Sequence, residues 1–280
     1  MSLISMSDIF AAASRLAMRA KKGNPLDALY SPVAVAVSLL ALWEIGVRAL
    51  HVNSVILPPP SEIMQVLIER RGLLLGHLSS SLFLIGSGLI LSVIGGVSVA
   101  IAFTFSRTLR EGVYPILIIS QVVPKVAIAP LFIVWFGTGT LPCLLLGFLI
   151  AFFPMTINSV LGFQAVDEEI HRMARAFMGS KRQIFWKVQF PHALPYIFSG
   201  MKISLTLVII GDVVSEFVAS QEGIGYLIKL AGGLLDTPLM MAAITALSLS
   251  GLALYWIISQ VERRFVYWQV DPDSIMGVGE

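Results

Sequence analysis

Between residues 126 and 166 the chain carries no charged side chain. No other feature limits the fold so strongly. The run is too long for one helix, yet nothing in it suggests a solvated loop. A lipid bilayer is the solvent that tolerates such a run, and lipid leaves backbone N–H and C=O groups to find partners inside the protein. The glycines and proline of "FGTGTLP", 136–142, mark where the run must break. Composition agrees: 56% of the 280 residues are apolar, 13% are charged, and mean hydropathy is +0.85. Soluble domains carry about 25% charge. A net charge of +2 makes no case for nucleic acid. The single Cys143 can form neither an internal disulfide nor a multi-cysteine metal site. The four histidines, at 51, 77, 171 and 192, show no metal-ligand spacing.

A span needs about 20 mostly apolar residues. Six segments qualify, near 32–50, 78–105, 113–136, 141–162, 196–219 and 237–261. The third contains Pro115, Pro124 and Pro130 and is predicted to be kinked or broken. Such helices survive in a membrane where protein surrounds them or where they line a cavity. The predicted fold is therefore an all-α membrane protein with six transmembrane helices. "ILPPPSE", 56–62, opens a loop after the first span, and a short amphipathic helix follows to about residue 75.

Six spans place both termini on one side. With that side cytoplasmic, the inner segments hold thirteen Lys and Arg: four in the first 31 residues, Arg107 and Arg110, five in 167–195, and Arg263 and Arg264. The outer loops hold Arg48, Arg70, Arg71 and Lys229. This asymmetry predicts cytoplasmic N- and C-termini. The N-terminal stretch has no cleavage site and is expected to lie on the membrane surface as a short amphipathic helix. The predicted organisation is a cytoplasmic segment 1–31, a first span and outer loop 32–75, a transmembrane core 76–265 with a cytoplasmic loop 163–194, and a cytoplasmic tail 266–280.

The loop between the fourth and fifth spans is a basic island, "DEEIHRMARAFMGSKRQIFWKVQFPHALP", 167–195. Asp167 is a good N-cap, and Glu168 and Glu169 face the positive helix end. Ile170, Met173, Ala174 and Phe177 form one apolar stripe beside Arg172 and Arg175. Gly179, after Met178, is placed to end this helix in a left-handed turn. Ser180 and Gln183 predict a capping box for a second helix. Phe190-Pro191 is expected to end it, and Pro195 suits the first turn of the fifth span. Such an island could lie on anionic lipid, or dock its apolar face in a partner's groove.

The island resembles the cytoplasmic "EAA" loop of permease subunits of binding-protein-dependent ABC importers, of the nitrate, sulfonate and taurine type. Ala174, Arg175, Ser180, Gln183, Phe185, Val188, Pro191, Ala193, Leu194 and Pro195 match without gaps. Arg172 stands where the family usually has Glu, and Met178 where it usually has Gly. "ILPPPSE", "EGVYPILIISQVVPKVAIAPLFIVWFGTG", "SEFVASQEGIGYLI" and "VERRFVYW" are also similar, in order, over roughly 55–268. The resemblance implies a type I importer permease fold and an ATPase-coupling loop centred on 167–195. It also implies two ATP-binding cassette subunits, a second permease copy, as a homodimer, and a periplasmic or extracellular solute-binding protein. No G-x-x-x-x-G-K-[ST] phosphate loop occurs, so ATP and Mg belong to the partner ATPase and this chain is non-catalytic. The implied place is the bacterial inner membrane, and the implied cargo is a small organic anion.

Ionisable groups inside spans are candidates for a pathway or a gate. They are Lys125 in the broken span, and Asp212 and Glu216 one helical turn apart in the fifth. Two such carboxylates repel unless hydrated, protonated or paired, as in an interhelical salt bridge. Lys202 is expected to snorkel to the interface. The glycines of "GIGYLI" suit a tight turn and not a dinucleotide site. A stand-alone secondary transporter or channel would have no use for a docking loop. A membrane enzyme would need a convergent cluster of His, Asp, Glu or Cys, and these are scattered.

Overall fold

A computed structural model describes residues 25–268. The predicted surface helix near the N-terminus and all but the start of the 266–280 tail lie outside the described residues. Every regular element among the described residues is helical. The chain divides into two units, Met1–Met64 and Gln65–Glu280.

The first unit contains α1 (Pro25–Ala49) and the start of α2 (Pro60–Glu69). The one acidic residue of the predicted first span is partnered. Glu44 pairs with Arg48 at 2.6 Å and accepts from the Ser61 N–H at 3.0 Å and its hydroxyl at 2.8 Å. Ser54 donates to Glu62 at 2.7 Å, which pins the intervening proline loop to the start of α2.

In the second unit, α3 (Arg71–Phe105) is followed by α4 (Arg107–Ser120), a 3₁₀ turn at Lys125–Ile128, α5 (Ala129–Phe136) and α6 (Thr140–Gln164). Then come α7 (Glu168–Met178), α8 (Lys181–Ile184), a π segment Phe185–Gln189 and α9 (Phe190–Ala219). The chain ends in α10 (Ile224–Gly233) and α11 (Thr237–Phe265). Four helical runs are long and apolar enough to cross a membrane: Arg71–Phe105, Thr140–Gln164, Lys181–Ala219 and Thr237–Phe265. The pair Arg107–Ser120 and Lys125–Phe136, bent by 85°, makes a fifth if counted as one span. The sequence predicts six, and α1 stands at the place of the remaining one.

The break in the third segment falls where prolines place it. Pro124 precedes the 3₁₀ turn and Pro130 sits in the first turn of α5, where a missing N–H costs nothing. Gly137 and Gly139, with φ of 78° and 124°, then turn the chain into α6. The Gly139 N–H donates to Ala219 O at 2.9 Å, tying this turn to the end of α9.

Helix α6 packs along both α3 and α9, and close backbone approach makes this possible. A Cβ at Gly162 would lie 2.7 Å from Tyr196 Cβ, and one at Gly200 would lie 2.8 Å from Asn158 Cβ. Hydroxyls cross the same seams: Ser92 donates to Phe148 O at 3.2 Å and Ser204 to Ala151 O at 2.9 Å. Phe103, Met155, Phe163, Phe185 and Ile197 fill the core where α3, α6 and α9 converge.

Two sequence expectations, both for prolines, are corrected. Pro191 does not end a helix. It lies in the first turn of α9, and the helical run continues without a stop from Lys181 to Ala219. The π segment absorbs the irregularity, with the Phe190 N–H donating to Phe185 O. Pro195 consequently falls inside α9 and not in its first turn. Lys202, expected to snorkel, pairs with Glu262 of α11 and lies 5.5 Å from the Tyr255 ring centre.

Replacing Gly162 or Gly200 by Val should lower the thermal unfolding midpoint of the purified protein, each at a cost of about 1–3 kcal/mol from overpacking. Gly86→Val, on α3 with no atom within 4 Å of its would-be Cβ, should leave the midpoint nearly unchanged.

Candidate functional site

The basic island folds as a helix pair between the ends of α6 and α9. Asp167 caps α7 and accepts from the Glu169 N–H at 3.2 Å. Met178 is the last residue of α7, and Gly179 turns the chain with a φ of 71°. The capping box forms as read: Ser180 Oγ accepts from the Gln183 N–H, and Gln183 Oε1 accepts from the Ser180 N–H, both at 3.3 Å. The second helix is only four residues long before it merges into the π segment.

The apolar stripe of α7 is split by the fold. Ala174 is turned inward at 8% exposure, while Met173 is 62% and Phe177 85% exposed. Ile170 is also exposed. Glu169, Arg172 and Arg175 are exposed around them, with no ion pair among the described residues. A Phe held almost wholly outside the protein beside a Met and an Ile is an unpartnered apolar surface. Behind it, the Phe185 ring is buried against Phe163 at 5.3 Å and Phe105 at 5.1 Å between centres. That contact fixes the helix pair to the core.

At the other end of α9, Glu216 is wholly buried and holds three helices together. Its carboxylate accepts from Ser81 Oγ of α3 at 2.7 Å and from the Gly225 N–H of α10 at 2.6 Å. Ser81 Oγ accepts in turn from the Ile224 N–H at 2.7 Å. Two first-turn N–H groups of α10 are thereby capped from neighbouring helices, with the acid at the positive helix end. The turn of "GIGYLI" exists to admit this carboxylate. A Cβ at Gly223, whose φ is 95°, would lie 1.8 Å from Glu216 Oε1. Asp212, one turn earlier, is 2% exposed, and its Oδ2 has no hydrogen-bond partner among the described residues. Hydrogen bonds join Glu216 to its neighbours, and among the described residues neither acid is in an interhelical salt bridge.

Lys125 stands apart from the two carboxylates, at the 3₁₀ turn of the broken segment. Its ammonium lies 4.7 Å from the Phe153 ring centre of α6, a cation–π contact. Sequence reasoning missed Ser81 and Phe153 as partners. Neither carries a local signal, because Ser81 lies in a run of three serines and Phe153 in an apolar helix. Among the described residues no group of three His, Cys, Asp or Glu could hold a metal ion.

Comparison with known proteins adds to this geometry. Residues 92–267 match the family model described as binding-protein-dependent transport system inner membrane component. The riboflavin transport system permease protein RibX of Chloroflexus aurantiacus is 36% identical over 246 residues, 86% of this chain and 91% of its own. The formylaminopyrimidine transport permease protein ThiX of Halalkalibacterium halodurans is 30% identical, over 85% and 95%. The taurine transport system permease protein TauC of Escherichia coli is 30% identical, over 84% and 87%. An inward-facing structure of the MetNI methionine ABC transporter superposes at a TM-score of 0.57 and 18% identity, covering 72% of this chain and 99% of that one.

Gly223→Ala and Glu216→Ala should each speed hydrogen exchange at the Ile224 and Gly225 amides. Glu216→Ala leaves a buried donor and a hydroxyl unpaired, at about 1–3 kcal/mol for each group. Unchanged protection at those amides would mean that the carboxylate does not hold α10.

Proposed function

The chain belongs to the binding-protein-dependent transport system inner membrane components, multi-pass proteins of the bacterial inner membrane, and on that premise we propose how it works. It is the non-catalytic transmembrane subunit of an ATP-driven importer with the type I permease fold. Its α7–α8 loop faces the cytoplasm and docks in a groove of a separate ATPase. An external binding protein delivers the solute. Two permease copies, as a homodimer, and two ATPase subunits, which hold ATP and Mg, complete the assembly.

One observation carries this reading: the exposed Met173–Phe177–Ile170 face of α7, presented by a capped helix anchored to the core through Phe185. Lipid would accept an amphipathic helix but does not need the anchoring that holds an apolar face out for a groove. Substrate passage is assigned to the broken α4–α5 segment, because irregular backbone at membrane depth belongs beside a cavity. Lys125 there meets a small organic anion, and the Glu216–Asp212 region serves as the gate. Relatives named for taurine and for aliphatic sulfonates support an anionic cargo. Relatives named for riboflavin and formylaminopyrimidine show that the same scaffold serves flat heterocycles.

The test is to reconstitute the permease with its ATPase and binding protein. Met173→Asp with Phe177→Asp should reduce ATPase co-purification by more than about tenfold, since two docking side chains of about 2 kcal/mol each are lost. Retention of the ATPase and undiminished transport would refute the docking role. Labelling from one side of the membrane with an impermeant maleimide, at Arg182→Cys in a Cys143→Ala background, checks orientation independently. Label should arrive only from the cytoplasmic side. Lys125→Ala should slow uptake of an anionic solute about tenfold at saturating binding protein, the loss of one charge-assisted contact of about 1.5–3 kcal/mol. Undiminished uptake would remove Lys125 from the pathway.

A further inference from the structure

Helix α7 has a second face. A cavity of about 480 Å³ opens between the helix pair and the end of α3, and its lining includes Thr104, Phe105, Arg175, Lys181, Ile184 and Gln189 but neither Met173 nor Phe177. Arg175 and Lys181 both reach it, and no carboxylate lines it. Neither cation has an ion pair among the described residues. A neighbouring cavity of about 410 Å³ shares Thr104 and Gln189 but balances Arg110 with Glu168. The contrast is the point: one hollow is charge-compensated within the chain, and the other is left with two cations, a hydroxyl and an amide.

The position narrows the ligand. Helix α3 ends at Phe105 and Ser106 starts α4, so the cavity mouth sits where an apolar run stops. Phe105, which lines it, is 53% exposed, and Trp186, 52% exposed, packs on the neighbouring Phe185, in the manner of side chains at a lipid–water boundary. Phe105 also packs on the buried Phe185 that anchors the helix pair. An occupant would therefore have an anionic head between Arg175 and Lys181 and an apolar body along Phe105.

We propose that this cavity is a site for the phosphate headgroup of an anionic phospholipid, seated between the α7–α8 pair and α3. The guanidinium and ammonium neutralise the phosphate, and the Gln189 amide supplies a neutral donor beside it. The apolar face of α7 stays free for the ATPase. The lipid wedges the helix pair from behind, so the docking face is held by both protein and bilayer. This rests on the cytoplasmic orientation proposed above, where anionic headgroups and basic residues meet.

The test uses the full transporter complex in nanodiscs of phosphatidylcholine with and without phosphatidylglycerol. Native mass spectrometry counts the phosphatidylglycerol that survives detergent release. Arg175→Gln with Lys181→Gln should lose one retained molecule per permease chain. Arg182→Gln with Lys187→Gln, exposed cations that do not line this cavity, should retain it. Equal retention in the first variant overturns the site, and equal loss in both shows only general basic attraction. Inorganic phosphate added to phosphatidylcholine nanodiscs separates the sources. If phosphate alone binds there and phosphatidylglycerol is not retained, the hollow takes a free anion and the lipid assignment fails. Because lipid retention is counted without turnover, failure here leaves the ATPase-docking test untouched. An unchanged thermal unfolding midpoint of each variant confirms that it is folded.

Discussion

Everything in this chain answers to a solvent that gives helices no hydrophobic reason to associate. Lipid tails are as apolar as Leu, so helix contact must come from close packing and internal hydrogen bonds. Helix α6 meets both demands. Its glycine contacts let α9 approach to backbone distance, and its carbonyls at Ala151 and Phe148 accept hydroxyls from α9 and α3. Phe103, Met155, Phe163 and Phe185 then close the core. Without that packing, neither the basic loop nor the Glu216 junction would have a fixed frame.

Polar groups enter this frame only with work to do. Glu216 is buried without a counter-ion, and two backbone donors, one direct and one through Ser81, stand where a cation would. Such an arrangement ties helices from distant parts of the chain and is specific, because it admits only glycine at position 223. Lys202 and Glu262 join α9 to α11 in the same spirit, as a pair one-fifth exposed. Asp212, with an orphan oxygen, is the exception, and buried groups of that kind are where function is sought first.

Much of this was legible in the residues because the relevant signals are local. Proline positions gave the broken third segment, Gly137 and Gly139 the turn into α6, and Ser180 with Gln183 the capping box. The illegible parts depend on partners far away in sequence. Nothing near Glu216 announces Ser81, 135 positions earlier. The inward turn of Ala174 follows from where α3 and the π segment sit, which periodicity along α7 cannot report. Pro191 was misread for a related reason. Read locally it stops a helix, but here a π segment takes up the missing hydrogen bond and the helix runs on. The family resemblance implied a role for the loop, yet the exposure of its side chains had to come from the fold.

That uninterrupted run has a mechanical meaning. From Lys181 to Glu216 the chain advances on the order of 50 Å at about 1.5 Å per residue, with the α7–α8 pair at one end and the Glu216 junction near the other. Its irregularities, the π segment and Pro195, both lie near the α8 end, leaving the remainder a stiff rod. Such a rod behaves as a lever whose fulcrum is the α6 seam. The arm from Ser204 to Glu216 is on the order of 18 Å, so a tilt of a few degrees about that seam becomes a displacement of about 1 Å beside Ser81 and Gly225, on the opposite side of the packed core.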